Sequence, residues 1–494
     1  MKKNAKILIA SAAGIAVLGA ATLALVLTNP VEDVTSSTSS EQSTKVSVFS
    51  YKTDDILSLT IKNETDEFTI DRLGSQKWGT KDIPEEYGDN TAYGTAMGNA
   101  GAIEAKMLVE ENAQDLARYG FDKPTATISM TFKDDKHEPV KCIVGMKNLG
   151  EKAWYFKTED SNAVYLVSDS KLTFAFTEEL DYVQLSGLVP TYDSQNDSVD
   201  RVRIERPDFD KDLVLDKLPE QPDKEFKEVY VAYAMSSHNN ALADDEKDMD
   251  VVYGLFGISA TDAVAVKPTE EDKKKYGFDS PSGTVTMVKN GSEVTKLYIG
   301  APLYHIETNE ETGKETKTVI GYYGMLSGKD VIYVFAPDSL PWLTVEPEAI
   351  LHRLFLMPYI YYVDDVTIKN AEGEEFVFTI VGDADENSIE YDGKPVSDKA
   401  KFKSFYQYLI AAYAEELYND PLTPDNKFLG GFSYDYREES RQDDVVEFYS
   451  SEQDRTCIIV VNGDVRYKVR QMYCTRLMQN LDAMLNGGEI YQDF

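Results

Sequence analysis

The pattern Tyr-Gly-Phe-Asp-x-Pro occurs at residues 119–124 and again at residues 276–281, and each copy opens onto the same alternating run. Ile128, Met130 and Phe132 follow the first copy, and Val285 and Met287 follow the second. A polar turn comes next, then a second apolar run ending at Gly145 or Gly300, which reads as a β-hairpin. The likeness continues where residues 153–168 parallel residues 321–336, two short strands around a turn. A chain that repeats a joint together with the hairpins behind it is built from tandem copies of one module, so one copy sets the fold class.

The joint has a local physical sense. A helical turn ends near Leu116-Ala117-Arg118, and Gly120 can take the left-handed conformation that caps it. Phe121 can fold back onto the core, while Pro124 stops the helix and forces Lys123 into extended geometry. This is a structural reading of the motif and assigns it no ligand.

Another hairpin recurs three times, at residues 56–72, 199–217 and 363–380. The third copy lacks the Tyr-Gly-Phe-Asp joint. It carries a helix candidate, with Phe402, Phe405, Tyr406, Leu409, Tyr413 and Leu417 at three- and four-residue steps. Strands are expected over 445–450 and 455–469, then a closing amphipathic helix on Tyr473, Leu477, Leu481 and Leu485. A length of 494 residues agrees with about three domains at roughly 150 residues each. The divisions read from the sequence are 1–30, 31–50, 51–190, 191–358 and 359–494: anchor, Ser/Thr-rich linker, two modules and a diverged third.

The N-terminus limits location. Lys2, Lys3 and Lys6 precede residues 7–28, which contain no charge. As a helix that run would rise roughly 33 Å, enough to cross a hydrocarbon core of about 30 Å. Lysines before it and Glu32-Asp33 after it place the N-terminus inside and the body outside. A retained anchor is favoured over a cleaved signal, because the small-x-small site Thr22-Leu23-Ala24 lies within the apolar run. The formal net charge of −36 argues against nucleic acid and anionic lipid surfaces as partners. Cys142, Cys457 and Cys474 show no paired or metal-ligand spacing, so buried free thiols are expected.

The lysine-led anchor, the Tyr119–Pro124 joint, the hairpin ending at Gly145 and the strand Ala163-Val164-Tyr165-Leu166-Val167 together resemble the bacterial domain of unknown function DUF4340. The resemblance is clearest over residues 50–190 and 253–345. Members of that family look like companions of gliding-type ABC transport systems, which implies an accessory role in an envelope complex. The resemblance brings no catalytic residue with it.

Motifs that carry chemistry fail on inspection. His137, His238, His305 and His352 lie in separate segments without ligand spacing. Residues 324–329 mimic a phosphate loop, but the spacing is short and no Ser or Thr follows Lys329. Residues 383–387 begin like a calcium loop, yet Ser388 stands where Gly is required and Lys394 where Glu is required. No catalytic, cofactor-binding or metal-ligating residue is nominated.

The expectation is therefore an α+β ectodomain of tandem repeated modules, small antiparallel sheets packed with helices, preceded by one N-terminal transmembrane helix. The expected function is that of a non-enzymatic, membrane-anchored extracytoplasmic binding or scaffold protein without cofactor, accessory to an ABC-type transport complex. The alternatives are cell-wall glycan binding through exposed aromatics and, below that, an envelope hydrolase. The expected location is the bacterial cell membrane, single-pass, with the C-terminal body outside.

Overall fold

A computed structural model describes residues 45–494, apart from 135, 220–230, 310–312, 383–387, 440, 453–454 and 494. The anchor expected over 7–28 and most of the linker lie outside the described residues. Among those described, no helix is long and apolar enough to cross a membrane.

Three large antiparallel sheets follow one another along the chain, with eight, nine and nine strands. Numbering strands by their appearance within a module, the second and third sheets both run 4-3-2-1-6-7-8-9-5. The first sheet runs 3-2-1-6-7-8-9-5 and lacks only the outermost fourth strand. In each module one helix falls before strand 5: Asn90–Gly101, Met249–Tyr253 and Lys399–Ile410. The third module, which lacks the hexapeptide, therefore keeps the same strand order. That order depends on which residues alternate between apolar and polar, and the joint motif is not needed for it.

The recurring hairpins occupy strands 1 and 2 at mid-sheet: Ile56–Asn63 with Glu67–Gly74, Val199–Glu205 with Leu213–Lys217, and Val363–Lys369 with Glu375–Val381. Strand 6 pairs beside strand 1, setting Leu59 opposite Met130, Val202 opposite Met287 and Val366 opposite Tyr434. All six of these side chains are buried. Intervening residues such as Ser58, Thr60 and Thr131 face outward, as a period of two requires. Buried residues of all three modules join in one continuous hydrophobic cluster.

Modules are joined by strand-like crossings. After the first sheet the chain lays residues 185–189 along the second module, with Ala260 N–H donating to Leu185 O at 2.8 Å and Gly257 N–H to Val189 O at 3.1 Å. After the second sheet Leu354 bridges to Tyr413, Ala414 N–H donates to Arg353 O at 2.9 Å, and Arg353 donates back to the carbonyls of Ala414 and Glu415. Both crossings meet the segment just before strand 5. In the first module that position, Ala102–Ala105, pairs with Val46–Ser50. The N-terminal strand thus does for module one what the preceding module's tail does for the other two.

Capture by this crossing also explains an overextended helix. The apolar spacing from Phe402 predicts a helix through Leu417, but it ends at Ile410. Tyr413 is taken by the Leu354 bridge, and Glu416–Leu417 becomes strand 5. After strand 9 the first two modules continue in 3-10 turns, among them Thr173–Phe176 and Pro341–Leu343. The closing helix forms as expected over Gln471–Asn486. Its Tyr473 stacks on Tyr408 at 4.9 Å, and each hydroxyl donates to a carbonyl of the other helix.

Cysteine pairing differs from the expectation of free thiols. Cys457 on strand 8 and Cys474 on the closing helix form a disulfide, and only Cys142 is free. A strand and the helix that follows the next strand, Asp464–Arg470, meet only in the folded sheet, so spacing alone does not show the pair. Denatured, unreduced protein should label at one thiol and reduced protein at three. Reduction should cost about 3 kcal/mol for so short a loop, read from urea midpoints with and without reductant. Three reactive thiols before reduction would rule the pairing out.

Candidate functional site

The repeated hexapeptide proves to be a packing device. Gly120 and Gly277 have φ of 82° and 85°, and a Cβ on either would lie 2.7 or 2.6 Å from the backbone nitrogen of Met146 or Ala301. The second glycine of each unit is as tightly held, since a Cβ on Gly145 would stand 2.2 Å from Tyr119 O and one on Gly300 2.3 Å from Tyr276 O. Phe121 packs against the same spot and is buried with Ala113, Tyr119 and Val164. These contacts account for the tyrosine, glycine and phenylalanine of the motif without a ligand.

The titratable groups are scattered. His238 is buried beside Ser237 Oγ at 2.8 Å, and burial, with Lys211 adding to it, pushes its pKa down to about 4. His137 lies in a turn, 2.8 Å from Asp134. His352 hydrogen-bonds the Leu354 carbonyl, and His305 sits on a long hairpin. Burial pushes the Cys142 thiol up to about 12, so it is inert as a nucleophile near neutrality. The phosphate-loop mimic is a tight turn between strands, with Gly328 at φ 78°. The calcium-loop mimic, 383–387, lies outside the described residues. Among the described residues no group of three His, Cys, Asp or Glu side chains is placed to hold a metal.

Among the described residues seven buried side-chain polar atoms lack a hydrogen-bond partner, and the carboxylate among them is Asp248. It is 2% exposed, and its Oδ2 has no hydrogen-bond partner. Burial, then the charges of Asp245 and Asp244, raises its pKa to about 7. No substrate-sized cavity lies against it among the described pockets.

The largest of the described grooves, about 400 Å³, lies on the first module between the start of helix Asn90–Gly101 and the strand Lys77–Gly79. Trp78 lines it together with Thr53, Asp54, Gln76, Asn90, Thr91, Gly94 and Thr95. Gly94 makes this possible, because a Cβ there would stand 3.0 Å from the indole ring. Asn90 ties helix to strand, accepting from Trp78 N–H at 3.0 Å and donating to Gln76 O at 3.0 Å. Arg72 lies over the indole at 5.2 Å.

A family model for a domain of unknown function, DUF4340, matches residues 88–221. The chain carries a DUF4340 domain. Neither the curated proteins nor the solved structures contain a match to it.

The DUF4340 segment is a single stretch. It begins just before helix Asn90–Gly101, runs through the Tyr119 joint and the remaining strands of the first sheet, and ends past the opening hairpin of the second. It starts later than the resemblance read over 50–190, and it leaves residues 253–345 unmatched although that part of the chain shares the strand order. The groove straddles its front edge: Asn90, Thr91, Gly94 and Thr95 lie inside, and Thr53, Asp54, Gln76 and Trp78 before it. The sequence reading missed this groove and Asp248. The one local signal was the glycine pair Gly94 and Gly98, four apart on a helix where glycine costs stability.

Proposed function

We propose that this DUF4340 protein is a non-catalytic, membrane-tethered binding or scaffold subunit on the outer side of the cell membrane, accessory to an ABC-type transport complex. The observation that carries the reading is the jointed array. Three sheets of one strand order share one hydrophobic cluster, and strands crossing between modules tie each to the next. Such an array holds a fixed spacing between surfaces, which is what a scaffold requires. The Cys457–Cys474 disulfide supports an oxidising compartment and therefore an extracytoplasmic body. The alternative of glycan binding through exposed aromatics draws mixed support, because Tyr93, Tyr233, Tyr333 and Tyr434 are fully buried whereas Tyr192, Tyr304, Tyr359 and Tyr413 are exposed.

The test is purification of the full chain from membranes in several mild detergents, with mass spectrometry of what accompanies it. Transporter ATPase and permease subunits are expected in stoichiometric amounts. Recovery of the chain alone from every detergent would overturn the reading.

A further inference from the structure

Strand 1 of each module carries a buried isoleucine, Ile61, Ile204 or Ile368, and two places past it stand Asn63, Arg206 and Asn370. In the first two modules that residue clamps the chain that follows strand 9. Asn63 donates from its amide to Ala175 O at 3.3 Å and Thr177 O at 2.8 Å. Arg206 donates to Trp342 O at 3.4 Å and Val345 O at 2.7 Å. Asn370 makes no such clamp. It donates to Glu374 Oε2 and accepts from Glu374 N–H, both at 2.9 Å. Among the described residues, no hydrogen bond joins 370–374 to the closing helix that follows strand 9 here.

The strand 2 residue paired with each isoleucine differs in the same way. Phe68 is buried, with the ring of Tyr182, from the chain after strand 9, at 5.6 Å. Leu213 is fully buried. Their counterpart Phe376 is only half-buried. Together with Met478, Leu481 and Leu485 of the closing helix it lines a groove of about 300 Å³. A place that the first module fills with its own chain stands open in the third.

The rim sets the charge of an occupant. Glu372 on the turn and Asp482 on the helix are both exposed, and neither is paired with a cation among the described residues. A formal net charge of −36 favours a basic partner and opposes a second copy of this chain. The C-terminal residues are held elsewhere, since Tyr491 N–H donates to Asn480 Oδ1 at 2.7 Å and Gln492 to Ser404 O at 2.8 Å. The Asn370 amide, which gives one N–H to Glu374, has a second to offer a backbone carbonyl, as Asn63 does.

We propose that this groove docks a segment of a partner protein in which an aromatic or large aliphatic residue is flanked by lysine or arginine. The apolar side chain covers Phe376 as Tyr182 covers Phe68, the cations meet Glu372 and Asp482, and a main-chain carbonyl takes the Asn370 amide. The site gives the scaffold a docking surface without resting on the transporter reading: either can fail while the other holds.

The test is calorimetric titration of the detergent-solubilised full chain with a synthetic peptide. The peptide is residues 172–183, the segment that fills this place in the first module, carrying Glu178→Lys, Glu179→Lys and Asp181→Lys. The unaltered acidic peptide is the comparator. The lysine peptide should bind saturably, about tenfold or more tighter than the acidic one. Glu372→Lys with Asp482→Lys reverses the rim charge, and Ala371→Trp fills the groove from an exposed turn. Each should weaken binding about tenfold or more, with thermal unfolding close to that of the parent chain. Glu86→Lys with Glu111→Lys makes the same charge change at exposed positions of the first module and should leave affinity within about twofold. Absence of saturable binding at millimolar concentration would overturn the proposal. So would equal binding of the two peptides, binding that neither groove variant weakens, or a loss as large from the first-module change as from the rim.

Discussion

Gly145→Ala is expected to destabilise this protein by about 2–4 kcal/mol, and Gly300→Ala by a similar amount. A methyl group at either position would meet a backbone carbonyl, Tyr119 O at 2.2 Å or Tyr276 O at 2.3 Å, with the ring of Phe121 or Phe278 close behind. The carbonyl cannot swing away cheaply. It belongs to a turn closed by Gly120 N–H to Ala117 O at 2.9 Å in one module and Gly277 N–H to Lys274 O at 3.1 Å in the other. The opposing strand is pinned as well, because Thr125 Oγ1 donates to Gly145 O and Ser282 Oγ to Gly300 O. The control is Gly291→Ala, where φ is 79° but no atom lies within 4 Å of the added carbon. Only backbone strain acts there, about 1–2 kcal/mol. Urea unfolding of the three variants checks the order, and a Gly145→Ala variant as stable as its parent would show that the joint is not tightly packed.

The pair also marks what a sequence can disclose. The joint was legible because its constraints are local: a left-handed glycine, a helix-stopping proline and a period-two strand all lie within about ten residues. The sheet hairpins at 56–72, 199–217 and 363–380 were legible for the same reason. The strand order was not, since pairing Val363–Lys369 with Phe428–Tyr436 joins segments separated by the Lys399–Ile410 helix. The end of that helix was misjudged because Tyr413 keeps a helical step yet answers to Leu354, in the crossing from the previous module. The Trp78 groove stayed hidden for a related reason. Its walls come from a turn at Thr53, a strand at Trp78 and a helix at Thr91, and none of these is unusual alone. Asp248 is one acid among 86 Asp and Glu residues, and burial, which composition does not report, sets it apart.

That burial gives Asp248→Asn the opposite sign to most core substitutions. The change should stabilise the protein by about 2–4 kcal/mol at pH 8 and by little near pH 4. An aspartate in the unfolded chain titrates near 3.9, whereas in the fold Asp248 titrates at about 7. The folded state therefore binds a proton that the unfolded state has already lost across that window. Stability contributed by this group falls as pH rises from about 4 to about 7, and the full penalty stands above it. The cause is desolvation first: Asp248 caps no helix N–H with its side chain, and Oδ2 has no partner. Asp245 and Asp244 add repulsion from the same turn, where Asp244 is paired with Lys247. Asparagine keeps the shape and removes the charge. Asp245→Asn should give a smaller gain of the same sign, because its carbonyl can still accept from Ala232 N–H at 2.7 Å. Subtracting parent from variant in urea melts at pH 4, 6 and 8 cancels the background from the other acids. A difference that stays flat across the three pH values would mean Asp248 is ionised in the fold with an ordinary carboxylate affinity for protons, and the buried orphan would need another explanation.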